Sequence, residues 1–486
     1  MNLKFQALDY TSEDQFVPAE YEYIGDEHTG WKIIRNGETY LELGAGYIPL
    51  QTTSCGVCST DIDRRFLPFP LPQIIGHEVL AKGLGNRANK QYVVEINDTF
   101  AARGAKDLDS FCLEGIPTHS PERKVLGIDR LPGGFGPYLL APIHAAIEVT
   151  GLSSKAAVLM EPFSAALQAI IASPPKSGDT VAVLGPRRLG SLILAALSSY
   201  RKSNSLNFRI IAITRHDHLV DLAKDMGADE VVDLRSTDPA SLENKYDILY
   251  DTTSTPSGFE SALKFAKREL HLKTTNGQVM GGIPHLTELV VDELSLLPAT
   301  KDALGFHWKS EDRKNKTVFL FDSVKDNWID KIPKDFTVFS GNTNQAQSIL
   351  EGPEFKGKVP RFDVVIVGSP DEIGLAIRPN PSHENALVRP RSAILVDTQK
   401  EDLWPIEAKI VLDFFKKGKE IHSSRCGDFH LGIQLLKENP EITSNLENHL
   451  ISHRFPASQL TDAYAKAKEP SSVKVVIDFL ESGSVQ

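Results

Sequence analysis

Short apolar segments alternate with segments of helical pattern between residues 179 and 263. VAVL, IIAIT, EVVD and YDILYD have the apolar, β-branched character of buried strands, and helical segments such as LGSLILAAL stand between them. Strands that cross over to one another through helices build a parallel sheet covered on both faces. We therefore predict an α/β fold with a doubly wound parallel sheet in this part of the chain.

The regions on either side have different patterns. Residues 1–150 consist of short alternating segments separated by Gly, Pro and Asn turns, which predicts a β-rich region. Residues 298–425 repeat the strand–helix pattern, because RFDVVIVGSPDEIGLAI matches KYDILYDTTSTPSGFESAL in its arrangement of apolar and turn residues. We predict there an inserted, degenerate copy of the α/β unit that binds no nucleotide. A disordered insertion is the alternative, which apolar strands such as TVFLFD and SAILVD argue against.

The charge and hydropathy of the chain exclude several partners. The 486 residues carry a formal net charge of −11 without a basic stripe, so neither nucleic acid nor an anionic membrane surface is an expected partner. No stretch of about 18 apolar residues occurs, and the first residues lack the apolar core of a signal peptide. Four cysteines are too few for a disulfide framework in a chain of this length. We expect a cytoplasmic protein whose cysteines bind metal or pack in the core.

A metal site is indicated by residues 55–78, CGVCSTDIDRRFLPFPLPQIIGHE. Thiolate and imidazole are preferred ligands of Zn²⁺, and the loop between Cys58 and His77 can bring these two side chains together. A catalytic zinc has three protein ligands and one open position, so a third ligand must come from elsewhere. Glu161 in MEPFSAAL is the candidate. Separate core or surface roles for these three residues are the alternative.

Four segments resemble the zinc-dependent medium-chain dehydrogenase/reductase family in their order and spacing: CGVCSTD, GHE, EPFSAAL and the glycine turn after VAVL. GGFGPYLLAP and the C-terminal segments HRFP and KVVIDF add to the resemblance, which covers about residues 30–297 and 406–480. The resemblance implies a GroES-like catalytic domain at 1–150, completed by 426–486, and a Rossmann cofactor domain at 151–297.

The resemblance also implies a ligand set for one catalytic zinc. Cys58, His77 and Glu161 would hold the metal, with glutamate as third ligand as in the polyol, glucose and threonine dehydrogenase branches of the family. Glu78 would be a further ligand or a support for the ligands. Zinc as a Lewis acid stabilises an alkoxide, so that an alcohol loses its proton near neutral pH and passes hydride to a nicotinamide ring.

Two polar residues of the same motif would handle the proton and the orientation of the site. Thr60 would pass on the proton of the substrate hydroxyl, and a plain turn hydroxyl is the alternative interpretation of this residue. Asp61 would orient the site through His77.

The second zinc of many relatives is not expected here. Those relatives use four cysteines, whereas the corresponding positions hold Lys106, Asp109, Cys112 and Ser120. One thiolate cannot form a closed tetrahedral site, so we predict no structural zinc.

The nucleotide loop departs from the GxGxxG pattern of the family. Its sequence GPRRLG keeps two glycines but has an arginine where a middle glycine would let the backbone approach a pyrophosphate. We predict retained binding, with an arginine at the helix N-terminus contacting phosphate, and a loop that no longer binds nucleotide is the alternative. The predicted cofactor contacts of the loop are Gly185, Arg187, Arg188, Leu189 and Gly190.

The end of IIAIT, the second strand of the predicted parallel sheet, indicates the type of nicotinamide cofactor. A member of the family that is specific for NAD would have an acidic residue at Thr214, to bind the ribose hydroxyls. Thr214 followed by Arg215 removes that carboxylate and adds a cation, which favours the 2′-phosphate of NADP. NAD remains the alternative cofactor, and a merely exposed Arg215 is the alternative interpretation.

These features predict a zinc-dependent oxidoreductase that transfers a hydride between NADP(H) and a small alcohol, polyol or sugar-like substrate. The resemblance further implies a homodimer or homotetramer. The alternative is a non-catalytic relative that acts as a scaffold or nucleotide sensor, since the glycine loop is altered and the insertion is large.

Overall fold

The computed structural model describes residues 1–274, 276–306, 316–380 and 386–479. The chain forms two compact units, one made of Met1–Ser164 with Gly427–Gln486 and the other of Ala165–Cys426. None of the helices in the described ranges is long and apolar enough to cross a membrane.

In chain order, the strands of the described residues are β1 (Asn2–Tyr10), β2 (Phe16–Asp26), β3 (Gly30–Arg35), β4 (Glu38–Leu43), β5 (Tyr47–Val57), β6 (Glu78–Gly83), β7 (Gln91–Val94), β8 (Asn97–Asp98), β9 (Lys124–Val125), β10 (Tyr138–Pro142), β11 (Ala146–Glu148), β12 (Thr180–Leu184), β13 (Arg209–Thr214), β14 (Glu230–Asp233), β15 (Tyr246–Asp251), β16 (Ala266–Leu272), β17 (Ser295–Pro298), β18 (Thr317–Phe321), β19 (Thr337–Gly341), β20 (Phe362–Val367), β21 (Val388–Val396), β22 (Glu420–Ser423), β23 (Ile451–Pro456) and β24 (Lys474–Asp478). The α-helices are α1 (Ser59–Ile62), α2 (Ser110–Leu113), α3 (Ser154–Ala157), α4 (Met160–Ala172), α5 (Arg188–Ser203), α6 (Val220–Asp225), α7 (Pro256–Phe265), α8 (Leu286–Val291), α9 (Lys325–Trp328), α10 (Thr343–Leu350), α11 (Pro370–Ile377), α12 (Lys409–Lys416), α13 (Phe429–Glu438), α14 (Pro440–Asn445) and α15 (Leu460–Lys468).

Antiparallel sheets dominate the first unit. One sheet has the order β1-β2-β3-β4, and a larger one has the order β11-β7-β6-β5-β24-β23 with β10 paired to β5. Part of β2 alternates between buried and exposed residues, which is the pattern of a sheet with one face on the core. The tail of the chain supplies β24, which pairs with β5 directly before the candidate metal motif. The sheet that carries this motif is therefore completed by the end of the chain.

An eleven-stranded sheet forms the centre of the second unit, in the order β14-β13-β12-β15-β16-β22-β17-β21-β20-β18-β19. Its neighbours are parallel throughout, except where β17 meets β22 in an antiparallel bridge. The central strands are apolar and almost fully buried, as in β12 and β20, because helices cover both faces. The prediction of an α/β fold with a doubly wound parallel sheet is confirmed.

The strands predicted after residue 298 are present in the same sheet. TVFLFD contains β18, FTVFSG contains β19, DVVIVG contains most of β20, and SAILVD contains the end of β21. The compact units divide after Ser164 and after Cys426, so residues 165–425 of the two predicted α/β regions lie within one unit, while residues 151–164 belong to the other. The finer domain limits at 150, 297 and 425 stay predictions.

Candidate functional site

The ends of neighbouring strands carry the candidate metal motif. β5 ends at Val57, one residue before Cys58, and β6 begins at Glu78, one residue after His77. The two strands are antiparallel neighbours with Gly56 opposite Glu78. The loop that contains the motif therefore begins and ends at the same edge of the sheet.

Asp61 connects the two predicted ligands of this loop. It lies in α1, is fully buried, and accepts a 2.8 Å hydrogen bond at Oδ2 from the backbone N–H of Cys58. Its Oδ1 lies 3.2 Å from Nδ1 of His77 and accepts a 3.2 Å hydrogen bond from the N–H of Gly76. A carboxylate on one ring nitrogen orients an imidazole and leaves Nε2 for another partner, as in many metal-bound histidines.

The surroundings of His77 favour a positive charge. Burial disfavours the imidazolium, but the charge of Asp61 and the interaction with Cys58 outweigh burial and raise the pKa of His77 well above its ordinary value. The Cys58 Sγ lies 3.7 Å from Oγ1 of Thr60, so the predicted proton relay lies on the same turn as the predicted thiolate ligand. Either a proton or a metal cation can supply the charge that this cluster favours.

Glu161 lies in the first turn of α4 and is partly buried. Desolvation raises the pKa of Glu161 to about 7, while the charge of His77 lowers it and the charge of Glu78 raises it. Because Glu161 responds to both residues, the three side chains belong to one electrostatic cluster. A nearby cation would favour the ionised form of this carboxylate.

Glu78 is held by a lysine that the sequence analysis did not identify. The Nζ of Lys474, the first residue of β24, donates 2.7 Å hydrogen bonds to both carboxylate oxygens of Glu78, and both side chains are buried. A Cβ at Gly56 would overlap Oε2 of Glu78, so only glycine leaves room for the pair there. A single lysine within the apolar segment VKVVIDF does indicate a buried charge, but the sequence does not show that Glu78 is its partner.

The tail also supports α1 from its other side. The hydroxyl group of Tyr464 in α15 lies 3.2 Å from the carbonyl oxygens of both Asp61 and Ile62. Carbonyl groups at the end of a short helix lack partners within the helix, so this hydroxyl stabilises the turn that carries the motif. Tyr464 is a second supporting residue without a signal in the sequence.

Zinc is the metal that this donor set would suit. Thiolate, imidazole and carboxylate are zinc ligands, and Asp61 provides the hydrogen bond that metal-bound imidazoles carry on their other nitrogen. Within the residues that the structure describes, no three His, Cys, Asp or Glu side chains are gathered closely enough to hold a metal ion. Cys58, His77 and Glu161 therefore stay predicted ligands, whose chemistry fits zinc but whose side chains are not closed around one.

Three of the four positions that correspond to the structural zinc of relatives form a small hydrogen-bonded group. Asp109 accepts a 2.8 Å hydrogen bond from the backbone N–H of Cys112, and the hydroxyl of Ser120 donates to its other carboxylate oxygen. Burial and the hydrogen bond with Asp109 raise the pKa of the Cys112 thiol to about 11, which disfavours a thiolate. These contacts agree with the prediction that this segment has no structural zinc, which stays a prediction.

The glycine loop turns sharply between β12 and α5. Gly185 has a φ of 86°, Arg187 occupies the N-cap position and Arg188 begins the helix. Thr252, which follows β15, donates hydrogen bonds of 3.0 and 2.6 Å to the carbonyl oxygens of Leu184 and Gly185. The loop is thus fixed at the carboxyl ends of two adjacent strands, where open α/β sheets bind their ligands.

The other loop residues are constrained by this close packing. A Cβ at Gly190 would overlap the carbonyl oxygen of Gly185, so the helix approaches the turn more closely than any other residue type permits. Leu189 lies beside it in the first turn of α5. The structure therefore brings together all five predicted loop residues, while their contacts with a cofactor stay predictions.

A positively charged cluster follows β13. Thr214 is buried and accepts a 3.1 Å hydrogen bond from the N–H of His216, whereas Arg215 is exposed. Desolvation, and then the charges of Arg215, His218 and Arg187, lower the pKa of His216 and so favour its neutral imidazole. Arg215 was predicted from the sequence and His216 was not, although the two residues are adjacent.

Asp251 is a second carboxylate that the sequence analysis overlooked. It ends β15, is 1% exposed and accepts hydrogen bonds of 2.8 and 2.7 Å from the N–H and hydroxyl of Thr253. Desolvation raises the pKa of Asp251 to about 6, against the effect of these two hydrogen bonds. The sequence did indicate this position, because Asp251 ends YDILYD, the fourth strand predicted for the parallel sheet.

Known proteins with similar sequences are dehydrogenases. D-arabinitol dehydrogenase 1 from Uromyces fabae is 25% identical over 234 residues, which are 45% of this chain and 64% of that relative. The chain thus matches less than two thirds of the length of this curated relative. No family profile matches the chain.

Solved structures show the same fold over nearly the whole chain. An alcohol dehydrogenase from Escherichia coli CFT073 in complex with NADH has a TM-score of 0.55 at 16% identity, covering 98% of this chain and 99% of its own. A zinc-binding dehydrogenase from Sinorhizobium meliloti 1021 bound to NADP has a TM-score of 0.53 at 14% identity, covering 98% of this chain and 100% of its own. The curated and structural relatives are alcohol, polyol and zinc-binding dehydrogenases of the medium-chain type, as the sequence motifs predicted.

Proposed function

We propose that the chain is a dehydrogenase that transfers a hydride between NADP(H) and a small alcohol, polyol or sugar-like substrate, with one catalytic zinc. The observation that carries this proposal is the position of Asp61, which contacts Cys58 on one side and His77 on the other. A buried carboxylate that orients the imidazole of one potential metal ligand and fixes the backbone of another is useful to a metal site, whereas elsewhere its burial would cost stability. The names of the relatives, which include sorbitol dehydrogenase and galactitol-1-phosphate dehydrogenase, support the substrate class.

In this proposal Cys58, His77 and Glu161 hold the zinc. The bound metal supplies a Lewis acid that stabilises an alkoxide near neutral pH. Asp61 keeps the ring of His77 in place and fixes the first turn of α1 through the N–H of Cys58. The hydroxyl group of Thr60 relays the proton of the substrate hydroxyl, giving up its own proton as it accepts that one.

Glu78 is a support in this proposal and not a metal ligand. Both of its carboxylate oxygens accept hydrogen bonds from Lys474, so the pair adds no net charge to the cluster. A fourth protein ligand would also fill the position that a substrate oxygen needs. Lys474 therefore leaves the three-ligand arrangement open.

The cofactor in this proposal is NADP. Gly185 and Gly190 allow the turn and the close approach of α5, and the N-terminus of α5 favours a phosphate group. The last residue of β13 is Thr214 and not an acidic residue, and Arg215 and His216 follow it. A strand end without a carboxylate and with an adjacent cation suits the 2′-phosphate of NADP. NAD is the alternative cofactor, and its binding should be measured beside that of NADP.

The compartment in this proposal is the cytoplasm. All four cysteines lie in the described ranges, and none forms a disulfide. Unpaired cysteines are typical of proteins from reducing compartments.

The test is metal analysis of the purified protein, followed by a panel of small alcohols and polyols with NADP and with NAD. We expect one zinc per chain and reduction of NADP in the presence of a polyol. Cys58→Ser is expected to lose both the zinc and the activity, while Cys112→Ser, which changes a cysteine outside the cluster, is expected to keep both. A protein without zinc, or one with two zinc ions per chain, would contradict the proposal.

A second candidate is a non-catalytic relative that binds nucleotide as a sensor or acts as a scaffold. The observation in its favour is that the described residues contain no closed three-ligand cluster. Zinc analysis separates the two candidates, because a scaffold has no need of a metal position. Binding of NADPH without zinc and without turnover of any alcohol would support this second candidate.

A further inference from the structure

The large sheet of the second unit contains the same winding twice. In the first half, the chain runs from β12 outward to β13 and β14 and then crosses back to β15 and β16. In the second half, it runs from β18 outward to β19 and crosses back to β20 and β21. All strands within each half are parallel, so the two halves are degenerate copies placed in one continuous sheet.

The last strand of each half is exchanged. β17 follows β16 and α8 along the chain, but it pairs in parallel with β21 of the second half. β22 follows β21 and α12, but it pairs in parallel with β16 of the first half. Each half therefore lacks its final strand unless the other half supplies it, which is the arrangement of a domain swap.

The registers of the exchanged strands reveal an approximate two-fold axis. β22 places Glu420–Ser423 opposite Glu269–Leu272, and β17 places Ser295–Pro298 opposite Ala393–Val396. Ile421 and Leu296 are thus the second residues of two equivalent four-residue strands. These two residues face each other in the antiparallel bridge between β22 and β17. In a contact with two-fold symmetry, equivalent residues meet on the axis, as Leu296 and Ile421 do here.

The junction between the halves is packed like a protein interior. Leu296 and Ile421 are fully buried. Nδ1 of His422 lies 2.9 Å from the hydroxyl oxygen of Ser295 across the junction. The hydroxyl of Ser423 is within hydrogen-bond distance of the carbonyl oxygens of Leu289 and Leu294, 3.2 and 2.7 Å away. Hydrogen bonds and buried apolar side chains therefore both stabilise the junction between β17 and β22.

The carboxyl ends of the strands in the second half carry acidic side chains, whereas the first half carries the glycine loop at the equivalent end. Glu372 accepts hydrogen bonds of 2.7 Å from the hydroxyl of Ser323 and the N–H of Gly368, at the carboxyl ends of β18 and β20. The indole N–H of Trp328 donates a 2.9 Å hydrogen bond to Asp397, which follows β21. Hydrogen-bonded side chains therefore lie at the carboxyl ends of these strands, and carboxylates stand where a phosphate would need positive charge.

We propose that the second half serves as a built-in second subunit. Two-fold contacts between identical surfaces are the usual way in which copies of one chain assemble, and this chain forms such a contact with its own degenerate copy. The antiparallel junction that would join two chains is occupied within one chain, so a second copy does not complete this sheet. The sheet is thus a single-chain pseudo-dimer, in which the contact between β17 and β22 is made without a second copy of the chain.

The test uses the full chain with cysteines at the two residues on the axis, Leu296→Cys with Ile421→Cys. Directly opposed residues of antiparallel strands have Cα atoms about 4.5–5.5 Å apart, which suits a disulfide. After oxidation with oxidised glutathione, we expect a disulfide between positions 296 and 421 in a product with the mass of one chain. Either single variant is the control and is expected to form no such bond. A disulfide that joins two chains, or a folded variant with no disulfide at all, would overturn the proposal.

If the two introduced cysteines prevent folding, the proposal can be tested by urea unfolding of the unmodified protein at several protein concentrations. Unfolding of a sheet completed within one chain is unimolecular, so its denaturant midpoint does not depend on protein concentration. We expect the same urea midpoint over a hundredfold range of concentration. A midpoint that rises with concentration would show that a second copy completes the fold, and would overturn the proposal.

Discussion

Lys474 and Glu78 form a doubly hydrogen-bonded ion pair, with Nζ 2.7 Å from each carboxylate oxygen and side chains that are 3% and 0% exposed. The two residues are 396 positions apart in the chain. The pair joins the first residue of β24 to the first residue of β6. The last strand of the chain is thereby anchored beside the candidate metal ligands.

We expect Lys474→Met to lower the free energy of unfolding by about 3–5 kcal/mol, because the substitution leaves the carboxylate of Glu78 buried without a counter-charge. Urea unfolding at neutral pH is the measurement. Lys468→Met is the matched control, since Lys468 pairs with Asp14 at the surface and its loss should cost about 1 kcal/mol or less. The double variant Lys474→Met with Glu78→Gln is expected to regain part of the loss. Equal losses for Lys474→Met and the control would contradict the importance of the buried pair.

Replacement of Arg215 should change the preference between cofactors. A charge-assisted contact between an arginine and a phosphate contributes about 1.5–3 kcal/mol, or roughly tenfold to a hundredfold in affinity. Arg215→Ala is therefore expected to weaken NADPH binding by this factor and leave NADH binding nearly unchanged, as measured by calorimetry. Arg209→Ala is the control, because Arg209 begins the same strand and pairs with Glu230 at the surface. An unchanged preference in Arg215→Ala would remove Arg215 from the cofactor site.

Asp251 should make stability depend on pH in the acidic range. Its pKa is about 6 in the folded protein and near 3.8 when unperturbed, so the folded state binds the proton more tightly than the unfolded state. The contribution of Asp251 to the free energy of unfolding is therefore greatest below the unperturbed pKa. It falls by roughly 3 kcal/mol in total as the pH rises toward about 6. Asp251→Asn removes this titration, so the difference in unfolding free energy between wild type and variant should change by that amount between about pH 4 and pH 6. Parallel pH profiles for the two proteins would show that Asp251 does not titrate as expected.

We expect one molecule of NADPH to bind per chain, because Glu372 and Asp397 place carboxylates at the carboxyl ends of the strands in the second half, where a phosphate would need positive charge. Isothermal calorimetry gives the stoichiometry directly. Gly190→Ala is expected to abolish binding, since its methyl group would overlap the carbonyl oxygen of Gly185. Gly305→Ala is the control, because space is open around that residue. Two nucleotides per chain, or binding that survives Gly190→Ala, would be evidence for a site in the second half.

The parallel sheet could be predicted because its signals are local. A strand such as DVVIVG is apolar throughout, which is the pattern of a strand buried on both faces, and the sequence placed it within one or two residues of β20. The motif residues around Cys58 and His77 were likewise found from a short segment and its resemblance to a family. Their roles as metal ligands remain predictions, since residue types and spacing do not determine how closely side chains approach.

The exchange of β17 and β22 could not be predicted. Both are four-residue strands, and either could pair in parallel with β16 or with β21 according to its apolar pattern alone. Lys474 was overlooked for a similar reason, because its importance depends on a carboxylate on another strand. Long-range pairing of this kind is decided by tertiary packing and leaves no periodic signal in the sequence.

The exchanged strands also set the order in which the protein can fold during synthesis. His271 in β16 and Ser424 after β22 are in contact, yet they are 153 positions apart. At about 5–20 residues per second, a ribosome needs roughly 8–30 s to make the intervening chain. During that interval β16 has an open edge of unpaired backbone groups, which is a surface prone to aggregation. We therefore expect the nascent chain to depend on chaperones until β22 has emerged from the ribosome.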